Sequence, residues 1–438
     1  MEVKIEKLVY GGNGLAHHDG QTVFVPRVLP GERVRVAPAS HSKKFIRGLL
    51  EEVVEPSPER IAAPCSYFGR CGGCQYQHMP YETQLRYKSD ILRETLARLG
   101  RIRWEGEIRT VPSPPFEYRN RAQWKIRSGG ANPESGARDG AAGDVGIGYF
   151  EAGSNRLCAV DHCPIASPGL AATLKTLASL VTSQKLFSAI DEIEAFSSAS
   201  DDQMLLTLSA ERLTDSAEQI AAAFREALPA AHSILVQDRK ADTLALFGEG
   251  FLEYAAAGAR YQVGHLSFFQ TNRYLIDALV TAVLGEDRGK LALDLFAGVG
   301  LFTAPLAQRF ERVIGVESNA AAARDLEVNL QGSGGASAAH RNVTAESFLA
   351  RWRDKPDLVV LDPPRAGVPA ETLARLNAIA PERISYLSCD PATLARDLAV
   401  LSGSEKKPGP YQIQDVYLFD IFPQTYHMEA LVRLRRRT

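Results

Sequence analysis

The sequence predicts an α/β chain in three parts: a small β-barrel, an α+β middle and a doubly wound C-terminal domain. Three observations carry this. Residues 1–56 alternate short apolar runs with closely spaced glycine turns, the pattern of a small barrel. From about Gly264 onward, short apolar runs alternate with helical patterns, as in a parallel sheet with crossover helices. The chain has 438 residues, a length that fits two or three domains of about 100–200 residues each. The expected boundaries are 1–56, 57–263 and 264–438.

In the barrel, Val23-Phe24-Val25 and Val34-Arg35-Val36 are the alternating strands, with turns at Gly11–Gly14 and Pro30–Gly31. Lys43, Lys44 and Arg47 flank Phe45 on its last segment. Pro56 and Pro58 end the unit, and a cysteine-rich loop follows. Leu85, Ile91, Leu92, Leu96 and Leu99 keep helical spacing from about Pro80, and Gly100 stops that helix. The middle mixes strand-like runs (203–209, 233–237, 243–247) with helical ones (170–181, 217–227), in an order the pattern does not specify. Residues 128–144 read as a loop rich in glycine, alanine and aspartate. In the last part, 291–296, 313–317, 358–362 and 384–388 are runs of the buried parallel-strand type.

Hydrophobic residues make up 45% and charged residues 23%, which excludes disordered and fibrous classes. No apolar stretch approaches the roughly 20 residues of a spanning helix, and the first residues lack an apolar signal core. The expected compartment is the cytoplasm, and monomer is the default state. The net charge is −2, yet residues 1–50 carry eight Lys/Arg against four Asp/Glu, and residues 97–127 eight against three. Segregated charge of this kind leaves a nucleic-acid partner open.

In LALDLFAGVGLFT, Asp294 ends a strand, and Gly298 and Gly300 occupy the turn before a helix. The spacing is not that of the dinucleotide fingerprint. The next strand ends in Glu317, placed to accept hydrogen bonds from ribose hydroxyls. This pair of strand ends is similar to that of S-adenosylmethionine-dependent methyltransferases. A third strand runs into Asp362-Pro363-Pro364, a motif also found in enzymes that methylate exocyclic nitrogens. Cys389 follows the fourth strand directly. Methyl transfer to a carbon such as uracil C5 needs a thiolate, because C5 is a poor nucleophile until a group adds at C6. The C5 proton must then leave, which requires a base. Glu429, among Met428, Ala430 and Leu431, has an apolar setting suited to a raised pKa.

Five segments, FFQTNRYL, DLFAGVG, LDPPRAG, SCDP and HMEA, together resemble the RNA (uracil-5-)-methyltransferase family across the C-terminal part. The resemblance implies a Rossmann-like methyltransferase domain with Cys389 as nucleophile and Glu429 as base. It implies S-adenosylmethionine bound by Gln270, Phe296, Glu317, Asn342 and Asp362. The family often has Asn after the glycine turn, where this chain has Leu301. Residues 1–56, with Gly12–Ala16 as the turn, resemble the TRAM domain, an OB-like barrel that binds RNA. Arg121, in YRNRAQWKIR, corresponds to an arginine near the target base.

Cys65, Cys71 and Cys74 are clustered, and Cys163 is a remote fourth. Spacing alone admits structural zinc or a [4Fe–4S] cluster. The pattern resembles the iron–sulfur branch of the same family, which implies the cluster. Cys158 reads as a core cysteine, and His78 and His162 as hydrogen-bonded side chains. The combined resemblance implies methylation of uracil C5 in 23S ribosomal RNA. The same reaction on transfer RNA, or amino-methylation of a nucleobase through the D-P-P motif, are the alternatives.

Overall fold

The computed structural model describes all residues except 42–43, 129–144, 184–186, 188–189, 332–336 and 405–406. Most of the loop expected at 128–144 therefore lies outside the described residues, as does Lys43.

Six strands form the N-terminal sheet: β1 (Glu2–Lys4), β2 (Lys7–Val9), β3 (Asn13–His18), β4 (Gln21–Pro26), β5 (Arg33–His41) and β6 (Phe45–Glu55). Their order is β1-β5-β6-β4-β3-β2. Three register shifts between β5 and β6 bend this pair around a core of Val3, Ile5, Val23, Val25, Val34 and Val36. The alternation read from the sequence is thus the inside and outside of a half-closed barrel.

Helix α1 (Tyr81–Leu99) and strand β7 (Ile108–Val111) come next. The middle sheet holds β8 (Arg121–Ser128), β9 (Val145–Phe150), β10 (Leu157–Ala159), β11 (Glu192–Ser197), β12 (Met204–Ala210), β13 (Ala231–Asp238) and β14 (Thr243–Phe247). Its order is β10-β9-β8-β11-β12-β13-β14. Helices α2 (Pro168–Ser183) and α3 (Ala217–Ala227) cover it. Ser216 and Gln219 start α3 with a reciprocal capping box. Trp124, Leu174, Leu177, Ile193, Leu206 and Phe224 share the core beneath these helices.

A hairpin, β15 (Phe251–Ala256) and β16 (Ala259–Gly264), leads into the last part. There α4 (Ile276–Leu284), β17 (Gly289–Leu295), α5 (Thr303–Leu306), β18 (Phe310–Glu317), α6 (Ala320–Gln331) and β19 (Ser337–Asn342) follow in turn. Then come α7 (Ala345–Arg351), β20 (Leu358–Leu361), α8 (Ala370–Ile379), β21 (Arg383–Ser388) and α9 (Pro391–Ser402). A two-residue ladder, β22 (Gly403–Ser404) with β23 (Lys407–Pro408), precedes β24 (Tyr411–Phe419) and β25 (Glu429–Arg436). The eight-stranded sheet has the order β19-β18-β17-β20-β21-β25-β24-β7. Strands β17 to β21 are parallel and β25 is antiparallel to β21.

One division in the sequence does not follow the sheets. Strand β7 pairs with β24, and Ile91, Leu92 and Leu96 of α1 share a core with α9 residues Leu394, Leu398 and Leu401. Residues 81–111 thus close one edge of the C-terminal sheet, inside the stretch read as the middle part. A strand whose partner lies some 300 residues away leaves no local signal of its place.

Candidate active site

The chain leaves β17 toward β18 and β19 on one side, then returns to β20 and β21 on the other. Open α/β sheets bind ligands at such a switch point, beyond the carboxyl ends of the strands. The register shows what stands there. Glu317 pairs with Asn342, and Leu295 pairs with both Val316 and Leu361. One step further along each strand, Phe296 lies between Glu317 and Asp362. Asn342, Glu317, Phe296 and Asp362 therefore form one row across four neighbouring strand ends.

The turn after β17 is shaped for a close ligand. Phe296 has φ +70° and Gly298 has φ +55°. A Cβ at Gly298 would meet nothing within 4 Å, so the space above it is open. Gly300, at φ +93°, is needed for another reason: a Cβ there would lie 2.6 Å from Leu326 Cδ1. The Glu317 carboxylate accepts hydrogen bonds from the backbone of Gly298 (2.8 Å) and Asn319 (2.6 Å). The Asn342 side chain donates to the Glu317 carbonyl at 2.9 Å. Glu317 already braces the turn before any ligand arrives.

Asp294 lies beneath this row, fully buried, with Thr303 donating to one of its oxygens at 2.5 Å. Its other oxygen has no hydrogen-bond partner within the protein. Burial pushes its pKa up to about 7, and Glu317 adds to the effect. Asp362 rises to about 7 through burial and the neighbouring Asp294. An acid with a raised folded pKa stabilises the fold most below its unfolded value, and that contribution is lost as pH rises through the folded value. Asp294→Asn is therefore expected to match its parent in thermal stability near pH 4. Its advantage should grow up to about pH 7 and then level off, as read by unfolding at fixed ionic strength.

Cys389 and Glu429 are brought together by strand pairing. Ser388 of β21 pairs with Ala430 of β25, so the next positions outward, Cys389 and Glu429, stand opposite each other. Asp390 then caps α9, accepting from the backbone of Ala392 and Thr393, which fixes the bend that presents Cys389. Burial, with Glu429 and Asp362, pushes the Cys389 thiol up to about 11 against the opposing Arg365 cation. Burial and Asp362 hold Glu429 well above the carboxylate range, again against Arg365. Glu429 is 5% exposed, and its Oε1 has no partner within the protein. A carboxylate beside a thiol raises the cost of ionising either one, so the two do not both carry charge. His427 is pushed down to about 4 by burial and Arg365, so it is neutral at physiological pH.

The other expected residues lie further out. Gln270 is buried, its carbonyl accepting from Asn120 Nδ2 at 3.1 Å. Arg121 is not gathered with Cys389 and Glu429. Its guanidinium donates to the Ser267 carbonyl at 2.8 Å, pairs with Glu194 and lies 4.5 Å from the Phe196 ring. It thus buttresses the segment that carries Gln270. Cys65, Cys71, Cys74 and Cys163 do line a single pocket, with Tyr67, Arg119, Tyr149 and His162 around them. Among the described residues, however, no three Cys, His, Asp or Glu side chains are grouped to hold a metal ion. Tetrahedral zinc would draw its four sulfurs to about 3.8 Å from one another, the edge that two 2.3 Å bonds span at the tetrahedral angle. Four thiols around one pocket are a donor set that either zinc or a cluster could use. Cys158 is fully buried, as expected, but it also neighbours the Cys71 thiol. His78 stacks on Phe68, and His162 pairs with Asp161.

Three residues at the site carry roles that their sequence motifs alone did not show. Arg365 is the cation facing both Cys389 and Glu429. Its place after Asp362-Pro363-Pro364 was visible, but not its orientation. Asp294 is the buried acid under the cofactor row. Tyr10 reaches from the barrel to the Cys389 carbonyl, 3.4 Å away, a contact between residues 379 apart in sequence.

Comparison with known proteins places the chain in a family. The family model described as tRNA (uracil-5-)-methyltransferase matches residues 80–437, and the TRAM domain model matches residues 1–37. A 23S rRNA (uracil(1939)-C(5))-methyltransferase of Alkalilimnicola ehrlichii is 31% identical, covering 99% of this chain and 96% of its own. The enzyme of the same description from Shewanella piezotolerans is 30% identical over 98% of this chain and 94% of its own. Among solved structures, the Pyrococcus abyssi tRNA (uracil-54, C5)-methyltransferase with S-adenosyl-L-homocysteine superposes with a TM-score of 0.73. It is 25% identical and covers 99% of this chain and 100% of its own.

Proposed function

Because this chain belongs to the tRNA (uracil-5-)-methyltransferase family, we propose that it methylates a uracil of 23S ribosomal RNA at C5, with Cys389 as nucleophile and Glu429 as base. It is an S-adenosylmethionine-dependent RNA uracil-5-methyltransferase with an N-terminal TRAM domain. The observation that carries the chemistry is that the β21–β25 ladder ends at Ser388 and Ala430, with Cys389 and Glu429 next along and near enough for Glu429 to act on the thiol. Ribosomal RNA is favoured by relatives of that description matching nearly end to end. A transfer-RNA uracil is the second reading, favoured by the full-length structural match to an enzyme of that description.

In this mechanism the Cys389 thiolate adds to C6 of the uracil. The S–C6 bond forms, and the ring electrons move to C5 and O4. C5 then takes the methyl group from the sulfonium of the donor, and S-adenosylhomocysteine departs. Glu429 removes the C5 proton, the electron pair re-forms the C5–C6 double bond, and Cys389 is expelled. Arg365, facing both groups, offsets whichever of them is negative. Gln270, Phe296, Glu317, Asn342 and Asp362 hold the donor on this reading. Arg121 acts on the RNA through the 267–270 segment it supports. A base within folded RNA must leave its stack to reach Cys389, at a cost of a few kcal/mol. No helix among the described residues is long and apolar enough to cross a membrane, and on this reading the enzyme works in the cytoplasm as a monomer. The units 1–56, 57–263 and 264–438 serve RNA binding, cluster support and catalysis on this reading, with residues 81–111 of the second completing the catalytic sheet.

Cys65, Cys71, Cys74 and Cys163 hold a [4Fe–4S] cluster on this reading, and it would tether their loops without entering the methyl transfer. Protein purified without oxygen is expected to carry about four iron and four sulfide per chain. Zinc without iron would contradict that part. The substrate is tested with unmodified RNA labelled with tritium at uracil C5, incubated with donor in separate ribosomal and transfer RNA pools. Tritium released from the ribosomal pool alone supports the proposal. Release from the transfer RNA pool alone replaces it with the second reading.

A further inference from the structure

The loop that delivers Glu429, residues 420–428, is held largely by residues from elsewhere in the chain. Gln424 is its pivot. The Gln424 carbonyl accepts hydrogen bonds from the backbone of both Gln75 (3.0 Å) and Tyr76 (2.9 Å). The fully buried Gln84 brackets the same residue. Its Oε1 accepts from the Gln424 backbone at 3.0 Å, and its Nε2 donates to Gln424 Oε1 at 3.0 Å. Gln424 is held at φ +67°, a left-handed conformation that a non-glycine residue keeps only where its surroundings impose it. Release of its partners should therefore let it relax.

Gln75 and Tyr76 directly follow Cys74, and Gln75 Nε2 donates to the Gly72 carbonyl at 2.8 Å, inside the Cys71–Cys74 turn. A Cβ on Gly12 would lie 3.2 Å from Gln75 Cβ and 3.3 Å from Tyr426 Cδ1, so the barrel closes tightly over the junction. The far end of the loop is anchored by the next turn of α1. The buried Lys88 donates to Asp420 at 2.6 Å and to the Phe422 carbonyl at 3.0 Å. The side of the loop nearest Glu429 thus depends on the cysteine turn.

We propose that Gln75, Gln84 and Gln424 form a latch through which the cysteine pocket positions the catalytic base. With the pocket formed, Gln424 is held in its left-handed conformation, and Tyr426, His427 and Glu429 follow in place. When the pocket opens, the loop loosens and Glu429 loses its aim at the uracil C5 proton. These three glutamines are positioning residues. The inference rests on Glu429 being the base, and its test is built to separate the two.

The test uses the full-length chain as Gln424→Ala, Cys74→Ala and Glu429→Gln, with Gln75→Ala in reserve should Cys74→Ala fail to fold. Amide hydrogen exchange is followed in residues 420–428 and, as a control, in residues 358–361. Rapid-mixing assays with RNA and donor measure formation and resolution of the protein–RNA adduct. Cys74→Ala should speed exchange in 420–428 by tenfold or more and leave 358–361 unchanged. Gln424→Ala should form adduct at a near-normal rate and resolve it at least tenfold more slowly. Unchanged exchange in Cys74→Ala, or equal slowing of formation and resolution in Gln424→Ala, would overturn the latch. If Glu429→Gln accumulates no adduct, the base assignment fails instead, and the exchange data still decide whether pocket and loop are coupled.

Discussion

Replacing Cys389 with alanine is expected to lower C5 methylation by about 10⁴-fold or more, with donor binding nearly unchanged. Removing a covalent nucleophile leaves only binding and orientation to assist the reaction, and losses of this order or larger are usual. C5 has no other route to nucleophilic character, because the enolate exists only while sulfur is bonded at C6. On the proposed reading the donor site is spared, because its row lies at the ends of β17 to β20, while Cys389 follows β21. Cys389 is half-buried and is not part of any core cluster, so the fold should lose about 1 kcal/mol or less. Single-turnover methylation and calorimetric titration of the donor check both halves. Full activity in Cys389→Ala would move the reaction to an exocyclic nitrogen.

Replacing Glu429 with glutamine should block a later step and give a different signature. Glutamine keeps the shape but cannot take a proton. Addition to C6 and methyl transfer should proceed, while loss of the C5 proton slows by about 10²–10⁴-fold. A denaturation-resistant protein–RNA adduct carrying the transferred methyl should therefore build up on gels. The surroundings of Glu429 suit it to this task. Burial and Asp362 raise its proton affinity, and its unpartnered Oε1 is free to accept. Arg365 keeps the charged form accessible. Normal turnover without adduct in Glu429→Gln would mean that another group is the base.

Much of this site was legible because the chemistry sits at strand ends. The runs before Asp294, Glu317, Asp362 and Cys389 are apolar because parallel strands are buried on both faces. In β20 all four residues are buried. Asp294, Glu317, Asp362 and Cys389 end such runs, at the carboxyl edge where open sheets meet ligands. Periodicity could not show that β7 would close the sheet beside β24, since its four residues look like any short strand. Nor could it show that Arg121 turns its guanidinium toward Ser267 and Glu194, because a basic residue in an alternating segment reads as exposed. The four cysteines were visible as a set. Their link to the base was not, because it runs through Gln75, Gln84 and Gln424, which bear no charge and belong to no recurring pattern of spacing.

The central claim is that Cys389 forms a bond to C6 of the target uracil. It is tested most directly with RNA in which 5-fluorouridine replaces uridine. Addition and methyl transfer still occur, but fluorine cannot leave as a proton does, so the adduct persists. Digestion and mass spectrometry should find the methylated fluorouridine attached to the peptide carrying Cys389, and to no other cysteine peptide. Methylation of ordinary RNA without any such adduct, or an adduct on another residue, would contradict the account.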